Sequence, residues 1–79
     1  MKFTVYSKNG CPFCDQVKQV LEMVDLDHVV YTLDVNFTRE EFYTQFGSGS
    51  TFPQVILNDS ERIGGCTDTV RYLKENNLV

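Results

Sequence analysis

Phe3-Thr4-Val5-Tyr6-Ser7-Lys8-Asn9-Gly10-Cys11-Pro12-Phe13-Cys14 runs from a strand, through a loop, to two thiols at the head of a helix. Residues 2–6 have the β-branched and aromatic content of a strand, and Ser7–Gly10 has the composition of a loop. Pro12 suits the first helical position, where its missing N–H costs nothing, and Asp15 lies in the first turn, where negative charge is favoured. Cys14, Val17, Leu21 and Val24 recur at the three-and-four spacing of one buried face, which predicts a helix from about Pro12 to Val24, closed by Asp25-Leu26-Asp27. A cysteine at such a helix start faces unpaired backbone N–H groups and the positive end of the helix dipole. Both favour the thiolate, which is the reactive form. Two thiols at this spacing can close a small disulfide and reopen it, so the pair predicts redox chemistry. Ordinary buried thiols and half of a zinc site are the alternatives.

Outward from this stretch, His28-Val29-Val30-Tyr31-Thr32-Leu33 is a second strand. Strand, helix, strand within so short a span is a βαβ unit, with parallel strands and a right-handed crossover expected. A second helix starts at Asn36 or Thr38 and runs to about Phe46. Thr38 with Glu41 fits a capping box, and Phe42 and Phe46 sit one turn apart. Gly47-Ser48-Gly49-Ser50 is a flexible loop. Pro53 opens a third strand, Gln54–Leu57; Asn58-Asp59-Ser60 is a turn; Glu61–Ile63 pairs back as a hairpin. After Gly64-Gly65 a last helix spans about Thr67 to Asn76, with Val70 and Leu73 inward. The order predicts an α/β fold, a four-stranded mixed sheet flanked by three helices, which is the minimal thioredoxin-like arrangement.

The 79 residues suffice for one domain, 1–79, and the 42% hydrophobic share, with six Phe and four Tyr, suffices for a core. Apolar stretches are only a few residues long, so neither a membrane span nor a signal segment is expected. The chain opens on a strand pattern, which leaves no room for a targeting peptide and makes a reducing cytoplasm the expected compartment. There, two close cysteines are more often catalytic or metal-binding than structural, and three cysteines cannot pair fully within one chain. A closed zinc site needs four ligands. Only Cys66 and the lone His28 remain to supply them, and His28 reads as structural, so no metal is expected. Eleven acids against seven bases give a net charge of −4 without a basic run, which argues against nucleic acid and anionic membranes as partners.

Cys11-Pro12-Phe13-Cys14, Thr51-Phe52-Pro53 and Gly64-Gly65-Cys66-Thr67-Asp68 stand in the order and rough spacing of a glutaredoxin. Essentially the whole chain resembles a small dithiol glutaredoxin, with Phe13 for the common Tyr and Phe52 for the common Val. The resemblance implies a glutathione-dependent thiol-disulfide oxidoreductase, with glutathione as reductant. Cys11 is then the nucleophile, with Lys8 near enough to favour its anion, and Cys14, one turn inside, is the resolving thiol. Phe13, beside an exposed nucleophile, forms an apolar wall of the site.

Any strand can begin with a proline, and only about 5–6% of X–Pro bonds are cis. The resemblance nevertheless implies a cis Phe52–Pro53 bond, leaving the Phe52 backbone free to pair antiparallel with bound glutathione and Thr51 bordering the groove. It further implies that N–H groups at Cys66, Thr67 and Asp68, beyond Gly65, hold the γ-glutamyl carboxylate, while Asp68 accepts from its ammonium. Lys8 is the best candidate for the glycine carboxylate; Arg39 and Gln45 are weaker ones. Cys66 reads as a small residue at a helix start, with regulation by oxidation as the alternative. The implied partners are glutathione and disulfide or glutathionylated proteins, a ribonucleotide reductase among them, and the implied state is a monomer. Two rivals remain. One is a thioredoxin-like protein served by thioredoxin reductase, against which Pro12-Phe13 and the Gly64–Asp68 segment argue. The other is a glutathione-ligated iron–sulfur carrier, which Pro12 disfavours.

Overall fold

Successive side chains of a strand point to opposite faces, and both long-paired strands here use that alternation to build two cores. The computed structural model describes residues Met1–Val79. It orders them as β1 (Phe3–Ser7), α1 (Pro12–Met23), β2 (His28–Thr32), α2 (Arg39–Phe46), β3 (Gln54–Leu57), β4 (Glu61–Gly64) and α3 (Cys66–Glu75). The sheet runs β2-β1-β3-β4. β1 is parallel to β2, with Phe3 opposite His28, and antiparallel to β3, with Phe3 opposite Leu57. β3 and β4 form an antiparallel hairpin. The sheet is therefore mixed and the fold thioredoxin-like, as the order of elements predicts.

Phe3 and Val5 of β1 join Val55 and Leu57 of β3 in one core, against Val17 and Leu21 of α1 and Cys66 and Leu73 of α3. The opposite face carries a smaller, aromatic core of Leu33, Phe37, Phe42 and Phe46, with Tyr6, Phe52 and Ile56 packed against it. A one-residue slip of β1 would exchange these faces, so burial on both sides fixes the register. Phe52 stacks on Phe42 with ring centroids 4.1 Å apart, and Tyr6 meets Phe46 edge-on at 5.1 Å. Truncating Phe42 to Ala would cost about 3–5 kcal/mol by the usual toll of a large core deletion.

The element boundaries move by a residue or two from those expected. Thr38, and not Asn36, caps α2: its Oγ1 accepts from the Glu41 N–H at 3.1 Å, while its own N–H donates to Glu41 Oε1 at 2.8 Å. Asn36 instead closes the turn after β2, its Oδ1 accepting from the Thr32 N–H at 2.9 Å. α3 begins at Cys66 rather than Thr67, because Gly65 already serves as its N-cap. Val24 is only half-buried, since α1 ends at Met23 and the chain turns at Asp25, whose φ is +56°. No buried side-chain nitrogen or oxygen lacks a hydrogen-bond partner. No helix is long and apolar enough to cross a membrane.

Candidate active site

The start of α1 is held by sulfur. Cys11 is the N-cap, extended at φ −115° and ψ 102°, and its Sγ accepts the Cys14 backbone N–H at 3.2 Å. Its carbonyl accepts from the Asp15 N–H at 3.1 Å, which closes the first turn around Pro12 and Phe13. Cys11 and Cys14 are joined as a disulfide, their Cα atoms 5.2 Å apart. Cys14 is wholly buried, whereas Cys11 keeps 5% exposure. Cys11 is thus less open than the exposed thiol expected, because its sulfur is turned toward Cys14 and the helix N–H. It is still the one of the pair that solvent reaches.

Two clefts meet beside it. One, of about 690 Å³, is walled by Lys8, Cys11, Pro12, Phe13, Arg39, Tyr43 and the Gly49–Phe52 loop. The other, of about 340 Å³, runs along Phe13, Thr51, Phe52, Pro53, Gln54 and Arg62 to the Gly64–Asp68 turn. Phe13, Thr51 and Phe52 belong to both walls. Phe13 is 58% exposed, an uncovered ring beside the disulfide. The Phe52–Pro53 bond is cis, and Pro53 is buried. Lys8 holds its Nζ 5.3 Å from the Phe52 ring centroid, a cation–π contact that leaves the ammonium in the larger cleft. Lys8 and Arg39 both line that cleft; Gln45 is exposed on α2 and lines neither, because the helix turns it away.

At the far end of the smaller cleft, α3 starts without a side-chain cap. Cys66, Thr67 and Asp68, its first residues, line the cleft, and the N–H groups of a helix's first turn have no partner within the helix. Gly64 makes the approach possible. Its φ is +122°, and a Cβ there would fall 2.5 Å from Asp68 Oδ2. Gly65 is less constrained, since a Cβ would meet only the Pro53 carbonyl at 3.5 Å. The Asp68 carboxylate lies 3.4 Å from Arg71 Nη1, an exposed pair of small energetic weight.

Cys66 stands apart from the pair. It is 9% exposed, points its Sγ toward Gln16 Oε1 at 3.7 Å, and is free. Burial pushes its thiol pKa up, the opposite of what a nucleophile needs. His28 is tied to the Leu26 carbonyl through Nδ1 at 2.8 Å. No three His, Cys, Asp or Glu side chains converge into a metal-holding group.

Tyr43, Gln54 and Arg62 are among the cleft residues that the sequence analysis did not single out. Arg62 of β4 donates through Nε to Gln54 Oε1 at 3.2 Å and through Nη1 to the Phe46 carbonyl at 3.0 Å. Hairpin pairing sets Arg62 opposite Ile56, on the face that Gln54 shares by alternation. The irregularity between Val55 and Ile56 hides that register from a reading of local pattern alone.

A family model described as Glutaredoxin matches residues 3–62. The chain is 35% identical over 78 residues to glutaredoxin-C6 of Oryza sativa subsp. japonica, covering 95% of this chain and 69% of that protein. It is 30% identical to glutaredoxin 1 of Escherichia coli K12, covering 96% of each. Several longer relatives are spanned for only about half their length, 48% to 58%. Among solved structures, glutaredoxin 1 from Francisella tularensis, crystallised with cacodylate, superposes with a TM-score of 0.78 at 30% identity, covering 98% of this chain and 95% of that one. Sequence and fold agree: the chain belongs to the glutaredoxin family of thiol oxidoreductases, with a redox-active cysteine pair at the head of its first helix.

Proposed function

We propose that the protein is a glutathione-dependent thiol-disulfide oxidoreductase, with Cys11 as nucleophile and Cys14 as resolving thiol. The observation that carries this reading is the charge pattern around Cys11. Cations, Lys8 and Arg39, line the cleft on one side, and an uncapped helix start with Asp68 closes the cleft on the other. Glutathione has a matching form: a carboxylate at its glycine end, a thiol in the middle, and a zwitterionic γ-glutamyl group. In a protein of net charge −4, an anionic peptide needs such local donors. Phe52, which lines both clefts, would offer its backbone as an edge for antiparallel pairing.

The cycle balances in thiol exchanges. Cys11 thiolate attacks a substrate disulfide and releases one substrate sulfur as thiolate. Cys14 thiolate then attacks Cys11 Sγ, frees the second substrate sulfur and leaves the Cys11–Cys14 disulfide. One glutathione thiolate opens that disulfide at Cys11, with Cys14 leaving; a second attacks the glutathione sulfur, frees Cys11 and departs as glutathione disulfide. Two glutathiones are oxidised for each disulfide reduced. On a glutathionylated protein, Cys11 takes the glutathione directly and Cys14 is dispensable. A reducing compartment such as the cytoplasm suits this direction, and disulfide or glutathionylated proteins are the clients. Steady-state reduction of a glutathione mixed disulfide, with glutathione or thioredoxin reductase as the alternative source of electrons, tests the reading. Turnover with glutathione is expected; turnover with the reductase alone would contradict it.

A further inference from the structure

We infer that Gln54 and Arg62 are positioning residues that hold the Thr51–Pro53 segment in register for a bound thiol peptide, an inference that rests on the glutathione reading above. Gln54 is 5% exposed and fully engaged: its Oε1 accepts from Arg62 Nε at 3.2 Å, and its Nε2 donates to the Thr51 carbonyl at 2.8 Å. Arg62 adds a second tie, from Nη1 to the Phe46 carbonyl at 3.0 Å, and its guanidinium lies 5.3 Å from the Phe46 ring centroid. The same carbonyl also accepts from Ser50 Oγ at 2.9 Å. The loop between α2 and β3 is therefore pinned at Ser50 and at Thr51 by groups that share one arginine. Thr51 and Phe52 are, with Phe13, the residues common to both clefts.

Nothing in this network bonds the Cys11–Cys14 turn, whose own fixings are the Cys14 N–H and the Cys11 carbonyl. Loosening it displaces the edge that a peptide pairs with and leaves thiol exchange at Cys11 intact. A bound peptide loses affinity from a misplaced edge, whereas a small dithiol that needs no groove does not.

The test compares the full chain with Arg62→Met, which keeps the aliphatic stem over Phe46, with Gln54→Glu, which keeps an acceptor for Arg62 but removes the donor to Thr51, and with Gln54→Met. Glutathione-driven and dithiothreitol-driven reduction of the same disulfide are measured, with the backbone amide shift of Phe52 in each reduced protein. Expected are a rise of about tenfold in the KM for glutathione with kcat held within about twofold, unchanged dithiothreitol-driven rates, and a displaced Phe52 amide. Equal losses with both reductants, or a Phe52 amide that stays put in folded Arg62→Met, would overturn the inference. Gln54→Glu behaving as wild type would overturn it too, because the tie to Thr51 is the link in question. A wild-type protein that dithiothreitol turns over and glutathione does not would overturn the functional reading instead; the amide comparison needs no glutathione and still decides this one.

Discussion

The helices α1 and α3 both start at the cleft, and they treat their unpaired N–H groups in opposite ways. At α1 the first turn closes on its own cysteine, with the Cys14 N–H given to Cys11 Sγ. At α3 the N-cap is Gly65 and no side chain takes those hydrogens. A helix start satisfied by a sulfur tunes that sulfur, while one left open is a place for an anion from outside. α2 is the control: its capping box spends both donors internally, although the neighbouring Arg39 lines the larger cleft. One fold thus presents the same backbone feature three ways: closed on a sulfur, left open, and capped by side chains.

The most severe way to break the comparison is at α1. Cys11→Ser is expected to cost about a thousandfold or more in reduction of both protein disulfides and glutathione mixed disulfides, as losing a covalent nucleophile does. Cys14→Ser should lose protein-disulfide reduction but hold mixed-disulfide reduction within about tenfold, because that route never uses the second thiol. Equal losses in the two variants would remove the asymmetry read from their burial.

At α3 the expected effects are smaller and separable. Gly64→Ala puts a Cβ on Asp68 Oδ2 and forces a side chain into φ +122°, which should lower stability by about 1–3 kcal/mol in denaturant melts and raise the KM for glutathione. Gly65→Ala, free of that clash, should cost less than about 1 kcal/mol. The reverse order would mean that the binding turn is set elsewhere.

The thiols, their helix, the order of elements and the fold class were legible because each rests on local pattern: a proline at a first turn, a three-and-four stripe, a Thr–Glu capping box. Lys8, Phe13 and the Thr51–Pro53 and Gly65–Asp68 segments were singled out in the sequence, and the folded chain sets them along two clefts that share Phe13, Thr51 and Phe52. Arg62 was not. It lies eight residues from Gln54 and sixteen from Phe46 in sequence, and only the hairpin register brings the three together. Gln45 lines neither cleft because, on a helix whose Phe46 faces the core, the residue before it is turned about 100° away.

Two measurements sharpen the scaffold side. Thr38→Ala should lower stability by about 1 kcal/mol and leave the KM for glutathione unmoved, because the Thr38 hydroxyl bonds Glu41 and lines neither cleft. The smallest effect belongs to Cys66. Its pKa is raised in the folded protein, so above its ordinary value of 9.0 the unfolded chain has lost that proton while the native one retains it. Stability therefore falls as pH rises through that window, and Cys66→Ala should flatten the fall between pH 9 and the raised folded value. An unchanged alkaline slope would show that this thiol is not desolvated in solution.

The most direct test of the division between a sulfur-held start and an open one is to equilibrate Cys14→Ser with glutathione disulfide and map the adduct by mass spectrometry. A single glutathione on Cys11, with Cys66 unmodified, is the expected result. Glutathione on Cys66, or none on Cys11, would contradict it.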